Sequence, residues 1–179
     1  MNLVYFDLET QKSAEEVGGW ANKNKMGFSF GVTYSTRDQH FRPYEEEDIP
    51  ALVHELSTAD QVIGFNIIHF DYAVLAGYTD FDFSQIPTFD LLADLHAKLG
   101  FRVGLNNLAQ ATLQSEKSAD GLQALDWFRE GAFAKIAIYC RQDVVVTRDL
   151  HQFGCENKFV YYLNALKKPV KIAVDWGYP

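Results

Sequence analysis

The chain has 179 residues, 47% of them hydrophobic, with a formal net charge of -8: long enough for one ordinary domain with a buried core, and too acidic for a strong nonspecific hold on nucleic acid, which needs a basic face. That charge leaves room for a phosphate substrate bridged by metal ions. No stretch approaches the roughly 20 consecutive apolar residues of a membrane span, the first residues lack the regions of a signal peptide, and Cys140 and Cys155 are too few for a disulfide framework, so a reducing cytoplasm is expected.

In chain order, Leu3 to Phe6 is a short apolar run suited to a strand buried on both faces. Phe28 to Tyr34 and Gln39 to Tyr44 predict two more strands around a turn at Ser35 to Asp38, completing a three-stranded meander. The acidic run Glu45, Glu46, Glu47 and Asp48 precedes Pro50, and Ile49, Leu52, Val53 and Leu56 recur at helical spacing. A helix therefore starts there with solvated negative charge at its entry. Gln61 to Phe65 predicts a buried strand, His69 to Gly77 a short helix, and Asp90 to Lys98 a helix closed by Gly100. Helices follow at Leu105 to Leu113, Gly121 to Arg129 and Ala132 to about Phe153, then strand-like runs at Phe159 to Leu163 and Val170 to Val174. No repeat or Pro/Gly-rich linker divides the chain. The expectation is one α/β layered domain over residues 1–179 with a central mixed sheet, a motif-bearing core at about 3–153 and a strand-like extension at 154–179.

Three stretches carry chemistry. In YFDLET, Asp7 and Glu9 are two apart on a strand and so share a face. At about 5 Å and an effective dielectric near 20 they repel by roughly 3 kcal/mol, so the pair must bind a cation, hold a proton or stay solvated; a surface strand fraying into a polar loop is the commoner origin of this spacing taken alone. In GFNIIHFDYAVL, Asp71 falls between a buried strand and an apolar helix, where α/β folds place functional groups and where a helix cap is also common. In IAIYCRQDVVVTRDL, Tyr139 and Asp143 are four apart on one helix face amid Ile136, Ile138, Val144, Val145 and Leu150. An Asp in so apolar a segment needs a partner, whether a metal or a basic side chain such as Arg141 or Arg148.

Together these stretches resemble the DEDD superfamily of 3′-to-5′ exonucleases on the ribonuclease H-like fold. DxET is similar to its first motif, GFNIIHFD to the N-x-x-x-F-D form of the second, and YCRQD to the Y-x-x-x-D third motif of the tyrosine subgroup. The nearest likeness is to the proofreading exonuclease domain of family B DNA polymerases and to stand-alone exonucleases related to it, over about Leu3 to Phe153. The resemblance implies a three-layer fold with a central mixed five-stranded sheet flanked by helices. It further implies that Asp7, Glu9 and Asp143 hold two divalent cations, with Asp71 contributing directly or through water, and that Tyr139 positions the attacking water. The cations would activate that water and stabilise the leaving 3′ oxygen; hard carboxylate oxygens favour Mg²⁺ or Mn²⁺. The two cysteines are then buried small residues.

A phenol near pKa 10 is a poor base at neutral pH but orients water well. Thr10, Asn66, Phe70 and Asn107 are candidate substrate contacts, the last from an Asn106/Asn107 pair opening a helix. His69 reads as solvated. Lys12, Lys23, Lys25, Arg37 and Arg42 sit on segments that guide a phosphate backbone or simply carry surface charge, and Trp20 to Gly27 reads as a flexible loop beside the first strand. Without a polymerase body or helicase motor the chain is expected to act alone, oligomerise or work with a partner, on short single-stranded 3′ ends of DNA or RNA. A noncatalytic binding module and a structure-specific endonuclease are the competing expectations.

Overall fold

A computed structural model describes residues 1–115 and 121–177. Five of the described strands form one mixed sheet: β1 (Leu3–Thr10), β2 (Phe28–Ser35), β3 (His40–Tyr44), β4 (Gln61–Gly64) and β5 (Thr88–Asp90), in spatial order β3-β2-β1-β4-β5. β1 to β3 are the antiparallel meander expected from the turn signals, while β4 and β5 run parallel to β1. The helices are α1 (Ile49–Thr58), α2 (Asp71–Leu75), α3 (Leu91–Leu99), α4 (Leu105–Leu113), α5 (Gly121–Arg129) and α6 (Phe133–Asn157).

Helices cover both sheet faces because β1 is apolar on both. Val4, Phe6 and Leu8 pack with Leu52, Leu56, Val74 and Leu75 of α1 and α2. Leu3 and Tyr5 point the other way, into a core with Ile136, Cys140, Val144 and Leu150 of α6. By the period of two, Asp7 and Glu9 continue the α6 face. The strand is irregular between Glu9 and Thr10, where its register with β2 shifts, a distortion common beside functional sites.

Several boundaries differ from expectation. β5 was not predicted: three residues after Pro87 are too few to show a period, and parallel pairing with β4 makes the strand. The helix expected from Asp90 starts at Leu91, because the Asp90 carboxylate caps it from outside, accepting from the Leu92 and Ala93 amides at 3.0 and 3.2 Å. α2 starts at Asp71 rather than His69. α6 runs on to Asn157, so the C-terminal extension begins as helix, and β6 (Phe159–Leu163) and β7 (Pro169–Ala173) pair only with each other, outside the central sheet. The Trp20 to Gly27 stretch contains a 3₁₀ helix at Trp20–Lys25. It is anchored where the Gln11 and Lys12 amides donate to Gly27 and Met26 carbonyls, and where Gly77 lets the Asn24 carbonyl approach so closely that a Cβ there would sit 2.1 Å from its oxygen.

His151 of α6 is fully buried, its Nδ1 2.9 Å from the Tyr5 hydroxyl, and burial lowers its pKa to about 4. Among the described residues no helix is long and apolar enough to cross a membrane.

Candidate active site

β1 and α6 bring three carboxylates together. One oxygen from each of Asp7, Glu9 and Asp143 lies within 4.8 Å of the others, the three-residue acidic group that could hold a metal ion among the described residues. Asp7 is partly buried, yet its Oδ2 is shielded from solvent and has no hydrogen-bond partner. A buried, unpaired carboxylate oxygen facing two further carboxylates is costly without a cation or a proton. The donor set, all hard oxygens, suits Mg²⁺ or Mn²⁺.

The electrostatics express that cost. Burial, then the charges of Asp143, Glu9 and Asp71, hold the Asp7 carboxyl well above its usual range. Glu9 is raised by burial and by Asp143 and Asp71. Asp143 is raised by burial to about 6, opposed by a hydrogen bond from Tyr139. The Tyr139 hydroxyl is pushed well above its ordinary value by burial and by Asp143, Glu9 and Asp7, so it stays protonated and acts as a donor. Its ring packs edge-on against Trp127 of α5, centroids 6.1 Å apart. The Cys140 thiol lies against the cluster: it donates to the Asp7 main-chain oxygen at 3.3 Å and also hydrogen-bonds the Asp7 carboxylate, and burial together with the Asp7, Glu9 and Asp143 charges keeps it protonated.

Asp71 sits behind this group. It is 2% exposed, its Oδ1 accepts from the Leu8 amide at 3.1 Å, and burial raises its pKa to about 8. It thus ties the α2 entry to the strand carrying Asp7 and Glu9, and its charge reaches both.

Asp90, which its sequence position marks only as a helix start, has a second task. Besides capping α3, its carboxylate accepts from the Asn66 amide at 2.8 Å and the Ile68 amide at 3.1 Å, fixing the loop that leads to Asp71. The loop needs fixing because Asn66 has φ 68°, a left-handed conformation that asparagine tolerates better than most. The signal available was an Asp directly before an apolar helical run. Asp90→Ala strips four amides of their acceptor and should cost about 2 to 3 kcal/mol, a fall in melting temperature of roughly 4 to 12 °C by calorimetry.

The substrate candidates divide. Thr10 and Phe70 line a cavity of about 790 Å³ that opens beside Glu9, with Trp20, Leu125 and Arg129. Asn66 lines a neighbouring cavity. Asn107 does neither: its amide nitrogen donates to the Leu163 carbonyl at 2.9 Å and its oxygen accepts from the Leu163 amide at 2.7 Å, fastening β6 to α4 with both ends of the side chain. Lys12, Lys25 and Arg37 line neither cavity, and Arg42 is paired with Glu55 and Asp38.

Among solved structures, the chain is similar to the family B DNA polymerase from the hyperthermophilic archaeon Pyrobaculum calidifontis, with a TM-score of 0.65 and 13% identity over 86% of this chain and 24% of that one. It thus spans about a quarter of the polymerase it matches, and at this identity the likeness is one of fold. No curated protein matches it. The family model of the RNase_H superfamily matches residues 4–153, which include β1, the Asp71 loop and most of α6, and the mixed five-stranded sheet flanked by helices is consistent with that fold. The chain belongs to the RNase_H superfamily.

Proposed function

We propose that this protein is a metal-dependent 3′-to-5′ exonuclease acting on single-stranded ends of DNA or RNA. The observation that carries the reading is the Asp7, Glu9 and Asp143 cluster with its unpaired buried oxygen, beside a cavity large enough for a nucleotide. Membership of a superfamily with nuclease chemistry supports it, as does likeness to a DNA polymerase, together with the motif resemblance at Asp7, Glu9, Asp71, Tyr139 and Asp143.

Asp7, Glu9 and Asp143 would hold the cations, and Asp71 would brace the strand beneath them or complete the second ion's shell. Bound divalent ions would supply activation of the attacking water and stabilisation of the leaving oxygen. The chain's own residues then have simpler tasks. Tyr139, held protonated, donates a hydrogen bond and orients; it does not take a proton. Asp143 keeps the Tyr139 hydroxyl in place. Phe70 and Trp20 bound the cavity in which the terminal nucleotide sits.

Tyr139→Phe should therefore lower kcat by about 100-fold through lost positioning while leaving Mn²⁺ binding, read by calorimetric titration, nearly unchanged; wild-type kcat in this variant would remove Tyr139 from the mechanism. A single strand with a blocked 3′ end tests direction. An exonuclease stalls on it, whereas an endonuclease still cuts, and a binding module cuts neither form.

A further inference from the structure

Trp20 and Phe70 line two cavities, not one. Their rings meet edge-on, centroids 6.3 Å apart and planes at 61°. The cavity on one side holds Glu9 and Glu15. The other, of about 380 Å³, is lined by Trp20, Lys23, Asn66, His69, Phe70 and Arg102, with no carboxylate. In a chain of net charge -8 this is an unusual place for two cations.

Among the described residues neither cation is neutralised by a carboxylate. Lys23 is partly buried and has no ion pair among the described residues. Arg102 is exposed and gives one N–H to the Asn66 side-chain oxygen at 2.8 Å, out of the five that a guanidinium carries. Trp20 is 65% exposed although its 3₁₀ helix is anchored at Gly27, Met26 and Gly77. A large ring held in water, next to cations that have no ion pair among the described residues, matches the two elements by which proteins hold single strands: a stacking face and a positive track for the backbone.

We propose that this second cavity is the subsite for the nucleotide preceding the 3′ terminus of a single strand. Its phosphates lie against Lys23 and Arg102, its base stacks on Trp20, and the terminal nucleotide passes the Trp20 and Phe70 divider into the cavity beside Glu9. The assignment of strand direction rests on the exonuclease reading; the binding of a single strand here does not. Duplex ends are disfavoured, because the base preceding the terminus of a duplex is stacked on both faces and offers neither to Trp20.

The test separates the two. Binding of fluorescein-labelled dT8 and rU8 is measured by anisotropy in chelator, where nothing is cleaved, over a range of salt concentrations. Lys23→Ala with Arg102→Ala should weaken both about 10-fold or more and lower the slope of log Kd against log salt by about 1.4, at about 0.7 per lost phosphate contact on a single strand. Trp20→Ala should weaken binding about 10-fold with the slope kept, and Trp20→Phe should restore most of it. Wild-type affinity and slope in the double variant would overturn the subsite. Cleavage of dT2 to dT8 in Mn²⁺ is the second readout: the rise in kcat/KM with length seen in the wild type should flatten in the double variant. Binding changes as stated in a protein that cleaves nothing would uphold the subsite and discard the exonuclease reading; cleavage with an unaltered length dependence in the double variant would discard the subsite and keep the reading.

Discussion

Asp7→Asn should abolish phosphodiester hydrolysis, by about 10³-fold or more, and yet raise the melting temperature of the metal-free protein at pH 8. The loss of activity follows if Asp7 is a cation ligand, since an amide carries no charge to hold one. The gain in stability follows from the geometry alone. Asp7 Oδ2 is buried without a partner, and its neighbours are Glu9, Asp143 and Asp71. The pairs of Asp7 with Glu9 and of Asp7 with Asp143, whose oxygens lie within 4.8 Å, each repel by roughly 3 kcal/mol at about 5 Å and a dielectric near 20. An isosteric amide removes that repulsion and brings an N–H able to face Glu9 or Asp143. After allowance for partial protonation, a gain of about 1 to 3 kcal/mol is expected, or roughly 2 to 12 °C by calorimetry. A lower melting temperature at pH 8 would mean that Asp7 is a stabilising structural residue rather than one strained for a ligand.

Metal and pH should act on stability in opposite senses. Asp71 is raised to about 8, Asp143 to about 6, and Asp7 and Glu9 well above their usual range. A carboxyl whose pKa is raised by folding gives stability that is complete below its unfolded pKa near 4 and is lost as pH rises through the folded value. Through Asp71 alone the metal-free protein should therefore lose about 2 kcal/mol between pH 6.5 and pH 8.5, a fall of about 4 to 8 °C, with Asp7 and Glu9 adding in the same direction. His151 works the other way, its depressed pKa costing stability only as pH falls from about 6.5 to about 4, so it is silent in this window. A fixed Mn²⁺ concentration equal to about 100 times its Kd at pH 8.5 should return about 2.7 kcal/mol there and less at pH 6.5, where the ligands must first lose protons. A flat profile from pH 6.5 to pH 8.5, unchanged by Mn²⁺, would contradict the placement of these groups.

Much of the site could be read from the chain because its parts lie on regular elements. The period of two put Asp7 and Glu9 on one face of β1, and the helical repeat put Tyr139 and Asp143 on one face of α6. That these two faces meet depends on α6 crossing β1, which no local period states; the order of the motifs supplied it. What escaped lies where tertiary partners decide. β5 is three residues long and exists through β4. Asp90 looked like an ordinary helix start, and only the fold brings the Asn66 and Ile68 amides to it. Asn107 has the residue type of a substrate contact, but a β6 backbone 56 positions away claims both ends of its amide. Arg102 drew no attention in sequence because nothing local links it to Asn66.

The most direct measurement is the product pattern from a 5′-labelled single strand incubated with the protein in Mg²⁺ or Mn²⁺, beside chelator and beside Asp7→Asn. A 3′-to-5′ exonuclease leaves a ladder that shortens stepwise from the 3′ end and vanishes in both controls. Products cut internally, no metal-dependent product, or a ladder undiminished in Asp7→Asn would contradict the exonuclease reading.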